Sequence, residues 1–80
     1  MEPNYVLILD YCSGSLSIIR LTPEELKESE KYDDFEEFLA TLEEKYDFRL
    51  KDCNWMTSEE LIITYYRDGK EVSHAELVLH

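Results

Sequence analysis

The first part of the chain has the apolar pattern of a β-hairpin. Residues 5–11 are nearly all apolar, with alternate residues on opposite faces, which predicts a strand covered on much of both faces. Residues 12–15 are typical of a turn, because Gly14 adopts positive φ without a steric cost. The apolar stretch 16–21 then predicts the second strand of the hairpin.

Two helices are predicted in the middle of the chain. The first begins at Thr22, where a threonine cap is followed by Pro23 and, three residues after the cap, by Glu25. Few apolar residues follow, so this helix should have only one or two turns. The second runs from Asp33 to Asp47, and its apolar residues form one stripe at helical spacing: Phe35, Phe38, Leu39, Leu42 and Tyr46. We expect one long helix that packs this stripe on a sheet.

The next segment leaves a choice between helix and strand. Residues 48–56 predict a connection that includes a short strand near Trp55. Within 57–66, the sequence Thr-Ser-Glu-Glu is typical of a helix start. Residues 61–66, however, are dense in β-branched and aromatic side chains, which favours a strand. Both alternatives stay open at this point.

The end of the chain predicts a second hairpin. Asp68-Gly69 is a hairpin-turn signal, and the stretch Glu71–Leu79 alternates as a returning strand. We therefore expect an α+β fold, a single domain over residues 1–80, with one antiparallel sheet of about four strands in two hairpins and the long helix packed on one face. The far face of the sheet should be partly polar or covered by a partner, and its edge strands favour pairing with a second copy.

The charge of the chain restricts its partners. Hydrophobic residues make up 44%, enough for a packed core, and the net charge is −11. Such a surface repels phosphate backbones and anionic lipid, so we expect no nucleic-acid and no membrane-surface binding. The carboxylates are concentrated between Glu24 and Asp47, where 11 of them stand against 3 lysines.

The leading functional hypothesis is an acidic protein-interaction module without catalytic activity. The face of the predicted long helix opposite its apolar stripe carries a candidate site for a basic partner: Glu36, Glu37, Glu43 and Glu44. The alternative interpretation of these residues is a solvated helix face. Two further alternatives are an inhibitor whose carboxylates imitate DNA phosphates and a structural subunit that forms a homodimer.

A different class of hypothesis is a small-ligand binder or enzyme that uses Cys12, Asp10 or His74. Their spacing matches no catalytic motif, and Asp10 would serve equally well as a hydrogen-bond acceptor for the turn that follows it. No calcium-loop or zinc-ligand spacing is present, so we expect no metal and no cofactor. His80 is the other histidine of the chain.

The cellular compartment is predicted from the apolar runs and the first residues of the chain. Its longest apolar runs are too short for a signal core or a membrane span, and Met1-Glu2-Pro3 is not a basic leader, so we expect a cytoplasmic protein. In that compartment Cys12 and Cys53 should be free thiols, unless the fold brings them together as a disulfide.

Three segments resemble short uncharacterised proteins of anaerobic bacteria. They are Tyr5–Tyr11, Leu21–Leu26 and Asn54–Thr57, and the resemblance covers about three-quarters of the chain. It implies a bacterial cytoplasmic setting, and no activity, substrate or site residue.

Overall fold

The computed structural model of the protein describes residues 2–79 and has an α+β architecture with antiparallel sheets, as predicted. Strands β1 (Tyr5–Asp10), β2 (Ser15–Arg20) and β3 (Cys53–Ser58) form a three-stranded sheet in the order β2-β1-β3. The central strand, β1, pairs antiparallel with both neighbours. The first hairpin and the strand near Trp55 are therefore confirmed.

Asp10 organises the turn of the first hairpin. Its Oδ1 accepts hydrogen bonds from the backbone N–H groups of Cys12 at 2.9 Å and Ser13 at 3.2 Å. Gly14 lies at a φ of 72°, and its N–H donates to the Asp10 carbonyl at 2.7 Å. The interpretation of Asp10 as an acceptor for the following turn is thus confirmed.

Helix α1 (Pro23–Ser29) begins where the capping residues predict. The Thr22 hydroxyl accepts from the N–H of Glu25 at 3.1 Å, and the Glu25 carboxylate accepts from the N–H of Thr22 at 2.9 Å. Both halves of the capping box are therefore formed, and they satisfy two donors that would otherwise lack an intrahelical partner.

The single long helix predicted over Asp33–Asp47 is wrong, because this stretch contains two short helices, α2 (Phe35–Ala40) and α3 (Glu43–Tyr46). At the break, the N–H of Thr41 donates to the Phe38 carbonyl at 3.0 Å, and its hydroxyl donates to the same carbonyl at 2.6 Å. A backbone bond to the third preceding residue tightens the turn, and the threonine hydroxyl competes for the same acceptor. Together they interrupt the α-helical hydrogen-bond pattern.

The helices cover one face of the three-stranded sheet and build the core with it. All five residues of the predicted apolar stripe are buried or pack against the core, so the stripe keeps its role despite the break. The rings of Phe35 and Trp55 lie 5.7 Å apart and join α2 to β3. The buried apolar side chains are Val6, Ile8, Ile19, Leu21, Phe38, Leu39, Leu42, Phe48 and Cys53.

The segment 57–66 follows neither alternative throughout. Strand β3 continues to Ser58, residues 59–64 have no helix or strand, and β4 (Tyr65–Arg67) begins after them. The predicted Asp68-Gly69 turn is confirmed, with φ values of 55° and 78°, and it joins β4 to β5 (Lys70–Val72). Positive φ at both positions is what a two-residue hairpin turn of this type requires.

The returning strand predicted over Glu71–Leu79 is wrong beyond β5. Ser73 instead caps helix α4 (His74–Val78): its hydroxyl accepts from the N–H of Glu76 at 3.3 Å, and the Glu76 carboxylate accepts from the N–H of Ser73 at 3.1 Å. This capping box outweighs the alternating pattern. Since β4 and β5 form their own two-stranded sheet, the single sheet of about four strands is also wrong. We call residues 65–79 the C-terminal arm.

Candidate interaction surfaces

The side of the three-stranded sheet that faces away from the helices is apolar and exposed. We call it the open sheet face. Because side chains alternate along a strand and paired residues share a face, its members follow from the strand register. They are Tyr5, Leu7, Leu9, Leu16, Ile18, Arg20, Asn54, Met56 and Ser58. Arg20 is the one charged residue among them.

The apolar members of the open sheet face are neighbours across the strands. Leu9 lies opposite Leu16, and Leu7 lies between Ile18 and Met56. Their exposed fractions are 45% for Leu9 and 58% for both Leu16 and Met56, whereas Ile8, on the other side of β1, is 1% exposed. A shallow groove runs along these side chains. No part of residues 2–79 covers them.

The sequence partly predicted this surface. Strand β1 is apolar at alternate positions on both of its faces, which led to the expectation of a far face that is partly polar or covered. The structure shows that the middle of the face is apolar, with Leu9, Leu16, Ile18 and Met56 exposed around the half-buried Leu7. The pairing of β3 with β1, which places Met56 beside Leu7, depends on strand order and was not predicted.

The four glutamates of the acidic candidate site lie on two helices. Glu36 and Glu37 are exposed on α2, and Glu44 is exposed on α3. Glu43 is half-buried, and its carboxylate accepts a hydrogen bond from the N–H of Leu50 at 2.6 Å. Glu43 therefore anchors the segment that leads into β3, and three of the four carboxylates remain for a basic partner.

A buried glutamate links α1 to α3, and the sequence predicted only its capping bond. Glu25 is 8% exposed, and its Oε2 accepts from Lys45 Nζ at 3.0 Å and from the Tyr46 hydroxyl at 2.7 Å. Burial raises the pKa of this carboxyl, but the bonds from Thr22, Tyr46 and Lys45 outweigh it and hold the pKa below its usual value. Burial, with the bond to Glu25, raises the pKa of Tyr46. We interpret this cluster as structural, since all its polar groups are paired.

The residues of the enzyme alternative are only partly brought together. Asp10 and Cys12 meet at the turn of the first hairpin. His74 lies in the C-terminal arm, where its ring is 5.4 Å from that of Tyr65. Residues 59–64 connect the arm to Ser58, which pairs with Tyr5 at the opposite end of β1 from Asp10. The contacts of the described residues join His74 to neither Asp10 nor Cys12.

Cys12 and Cys53 are both free thiols, exposed and buried respectively. Burial raises the pKa of the Cys53 thiol, and the nearby Asp10 carboxylate raises it further. We expect one thiol per native chain to react rapidly with an aromatic disulfide reagent, and the second only after unfolding, because reaction needs an accessible thiolate. The absorbance of the released thiolate measures both phases. Cys12→Ser should remove the fast phase alone, and equal rates for both thiols in the native chain would contradict this assignment.

Residues 2–79 offer neither a metal site built on a cluster of ligating side chains nor a helix that could cross a membrane. This part of the chain contains no group of three or more histidine, cysteine, aspartate or glutamate side chains that could hold a metal ion. None of its helices has the length and apolar character needed to cross a membrane. The remaining histidine, His80, lies outside the described residues.

Comparison of the chain with protein-family models, curated proteins and solved structures gave no match. The resemblance to short proteins of anaerobic bacteria therefore stays a prediction.

Proposed function

We propose that this protein is an interaction module that binds another protein through the open sheet face and has no catalytic activity of its own. The observation that carries the proposal is a cluster of apolar side chains in register on three adjacent strands, in which the half-buried Leu7 is surrounded by four exposed residues: Leu9, Leu16, Ile18 and Met56. Single exposed apolar residues are normal on any protein, but a contiguous patch marks an interaction site.

The charge distribution supports the same surface. The open sheet face carries one charged residue, Arg20, whereas the carboxylates are concentrated in the helices on the other side of the sheet. A partner can therefore bury the apolar face without desolvating a carboxylate, which would be costly if it were left unpaired. The face consequently favours a partner with an uncharged, apolar contact surface.

The acidic helical surface is the second candidate. Glu36, Glu37 and Glu44 are exposed, and they lie within the segment Glu24–Asp47 that holds 11 carboxylates and 3 lysines. This surface would attract a basic protein, and the attraction would weaken at high salt because exposed charges are screened. The open sheet face is the better supported of the two, since an acidic exposed helix also serves hydration alone.

Site-specific photo-crosslinking distinguishes the two surfaces. A photoreactive phenylalanine analogue is placed at Leu16 on the open sheet face, at Ser15 beside it on the same strand but on the opposite face, or at Glu37 on α2. Illumination in lysate of the source organism should then give a discrete protein adduct from position 16. Position 15 should give none, because Ser15, although exposed, faces the other side of the sheet.

Each outcome assigns a surface. An adduct from position 16 that still forms when illumination is done at high salt supports the open sheet face. An adduct that forms from position 37 alone, and only when illumination is done at low salt, supports the acidic surface and refutes the proposal. Equal labelling from positions 15 and 16, or none from position 16, also refutes it.

A further inference from the structure

We infer that the occupant of the open sheet face is a second copy of this chain, whose C-terminal arm packs on the face while its own face receives the arm of the first copy. The inference rests on the proposed function, because it names the partner of the same surface. Four properties of the described residues lead to it.

The first property is that the arm has no core. None of its described side chains is buried, and Tyr66, Val78 and Leu79 are 64%, 53% and 66% exposed. An isolated two-stranded hairpin is marginally stable in water, and α4 adds only one short helix. The arm is nevertheless ordered internally, since the Arg67 guanidinium donates to the carbonyls of Glu76 at 2.9 Å and Leu79 at 2.6 Å. It is a preformed apolar element without a surface to pack on.

The second property is the elongated shape. The molecule measures 44 × 27 × 17 Å. Six-residue strands span only about 20 Å, roughly half of the long dimension. The chain leaves the sheet after Ser58, at one end of β3, and reaches the arm through residues 59–64. Leu9, Leu16, Ile18 and Met56 of the open sheet face stay exposed. The arm therefore does not fold back over its own sheet, and the two apolar surfaces of one chain stay apart.

The third property is the area. Three six-residue strands cover only about 20 Å by about 14 Å, or roughly 300 Å². A stable interface buries about 800 Å² on each partner, so the open sheet face alone is too small. In the reciprocal arrangement each copy buries both its face and its arm, so the area buried on each copy is larger than that of the face alone. Because each copy has one face and one arm, two reciprocal contacts use every such surface and close the assembly at two copies.

The fourth property is charge. Two chains of net charge −11 repel each other least when they meet through regions of little charge. The open sheet face carries only Arg20, and the arm carries two basic residues against three acidic ones. The helical segment 24–47 carries 11 carboxylates and 3 lysines, and a contact between arms and faces leaves it outside the interface.

Sedimentation equilibrium of the purified chain over a range of concentrations tests the inference. We expect twice the chain mass, with Leu16→Asp on the face and Leu77→Asp on the arm each weakening dimerisation at least about a hundredfold, since an unpaired carboxylate would be buried. Ala40→Asp is the control, because it places the same charge at an exposed position of α2, on the helical side of the sheet, and it should leave the mass unchanged. Circular dichroism verifies that all variants remain folded.

Mixing the two variants distinguishes the reciprocal arrangement from a simple contact of two faces. In a mixed pair, the intact arm of the Leu16→Asp chain meets the intact face of the Leu77→Asp chain. One of the two contacts is then restored, so the mixture should dimerise more strongly than either variant alone. If Leu16→Asp disrupted the dimer but Leu77→Asp left it intact, the arm would not be part of the interface, and the inference would be overturned.

Hydrogen exchange gives an independent measurement. Backbone amides of residues 65–79 should exchange slowly at concentrations where the dimer forms and rapidly on dilution, because the arm lacks buried side chains in the single chain. A chain that remains monomeric with a rapidly exchanging arm at all concentrations would overturn the inference. The proposed function would still stand if the photo-crosslink at position 16 gave an adduct with a different protein, and would fall with the inference if it gave none.

Discussion

Replacing Phe38 by alanine should lower the free energy of unfolding by about 3–5 kcal/mol, the largest effect expected of any single substitution in this chain. Phe38 is 1% exposed, and its ring lies 5.3 Å from that of Phe35 and 6.0 Å from that of Tyr32. Small domains have only about 5 kcal/mol or little more to lose. Much of the variant should therefore be unfolded at room temperature.

Urea unfolding followed by circular dichroism measures this loss. Glu37→Ala, at the exposed neighbouring position of α2, is the control and should change stability by less than about 0.5 kcal/mol. Phe38→Leu should fall between the two, since it removes part of the ring volume and keeps an apolar side chain. If Phe38→Ala were as stable as Glu37→Ala, Phe38 would not be a core residue.

The sequence predicts which residues of segment 33–47 form the core, but it does not predict that the helix is broken into two. The apolar stripe that includes Phe38 was identified from its spacing, and it packs on the sheet as expected. The break between α2 and α3 follows from the two hydrogen bonds that Thr41 donates to the Phe38 carbonyl. Thr41 is a single residue within a stretch whose apolar spacing is otherwise regular. The spacing of apolar residues indicates which side of a segment faces the core. One tightened turn rotates the following residues only slightly, so the same side chains still face the core. The same pattern therefore fits one helix or two.

The C-terminal arm shows where local signals conflicted. Residues 71–79 alternate as in a strand, yet Ser73 and Glu76 form a capping box that starts α4. Alternation normally reports one buried and one solvated face, but no described side chain of the arm is buried within the chain. Because no apolar face of this segment is buried, alternation contributes little free energy in favour of a strand. The hydrogen bonds of the capping box therefore determine that residues 74–78 form a helix.

The open sheet face shows what a single-chain pattern leaves undetermined. Apolar residues on both faces of β1 predicted a covered sheet, and the helices cover only one side. The pattern reports that a surface is better removed from water, whichever molecule covers it. The acidic residues between Glu24 and Asp47 were equally evident in the sequence, but their location on the helical side, away from the open face, depends on the fold.

The second large effect is expected at Glu25. Alanine there should lower the free energy of unfolding by about 2–3 kcal/mol, because it removes the Glu25 half of the capping box and leaves the half-buried Tyr46 hydroxyl and the Thr22 N–H without their acceptor. The ion pair with Lys45 adds little, since the lysine side chain is 58% exposed. Glu24→Ala, one residue away in the same first turn but exposed, should cost far less and is the control.

The contribution of Glu25 should also depend on pH in a defined direction. Although burial alone would raise the pKa of its carboxyl, the hydrogen bonds of the folded state hold that pKa below the unfolded value. The folded state therefore gains stability from ionised Glu25 above the ordinary glutamate pKa, and it loses this gain as the pH falls through the folded value. Unfolding free energies measured from neutral to acidic pH should show the difference between wild type and Glu25→Ala shrinking with acid. A difference that stayed constant, or grew, would mean that ionised Glu25 does not stabilise the fold.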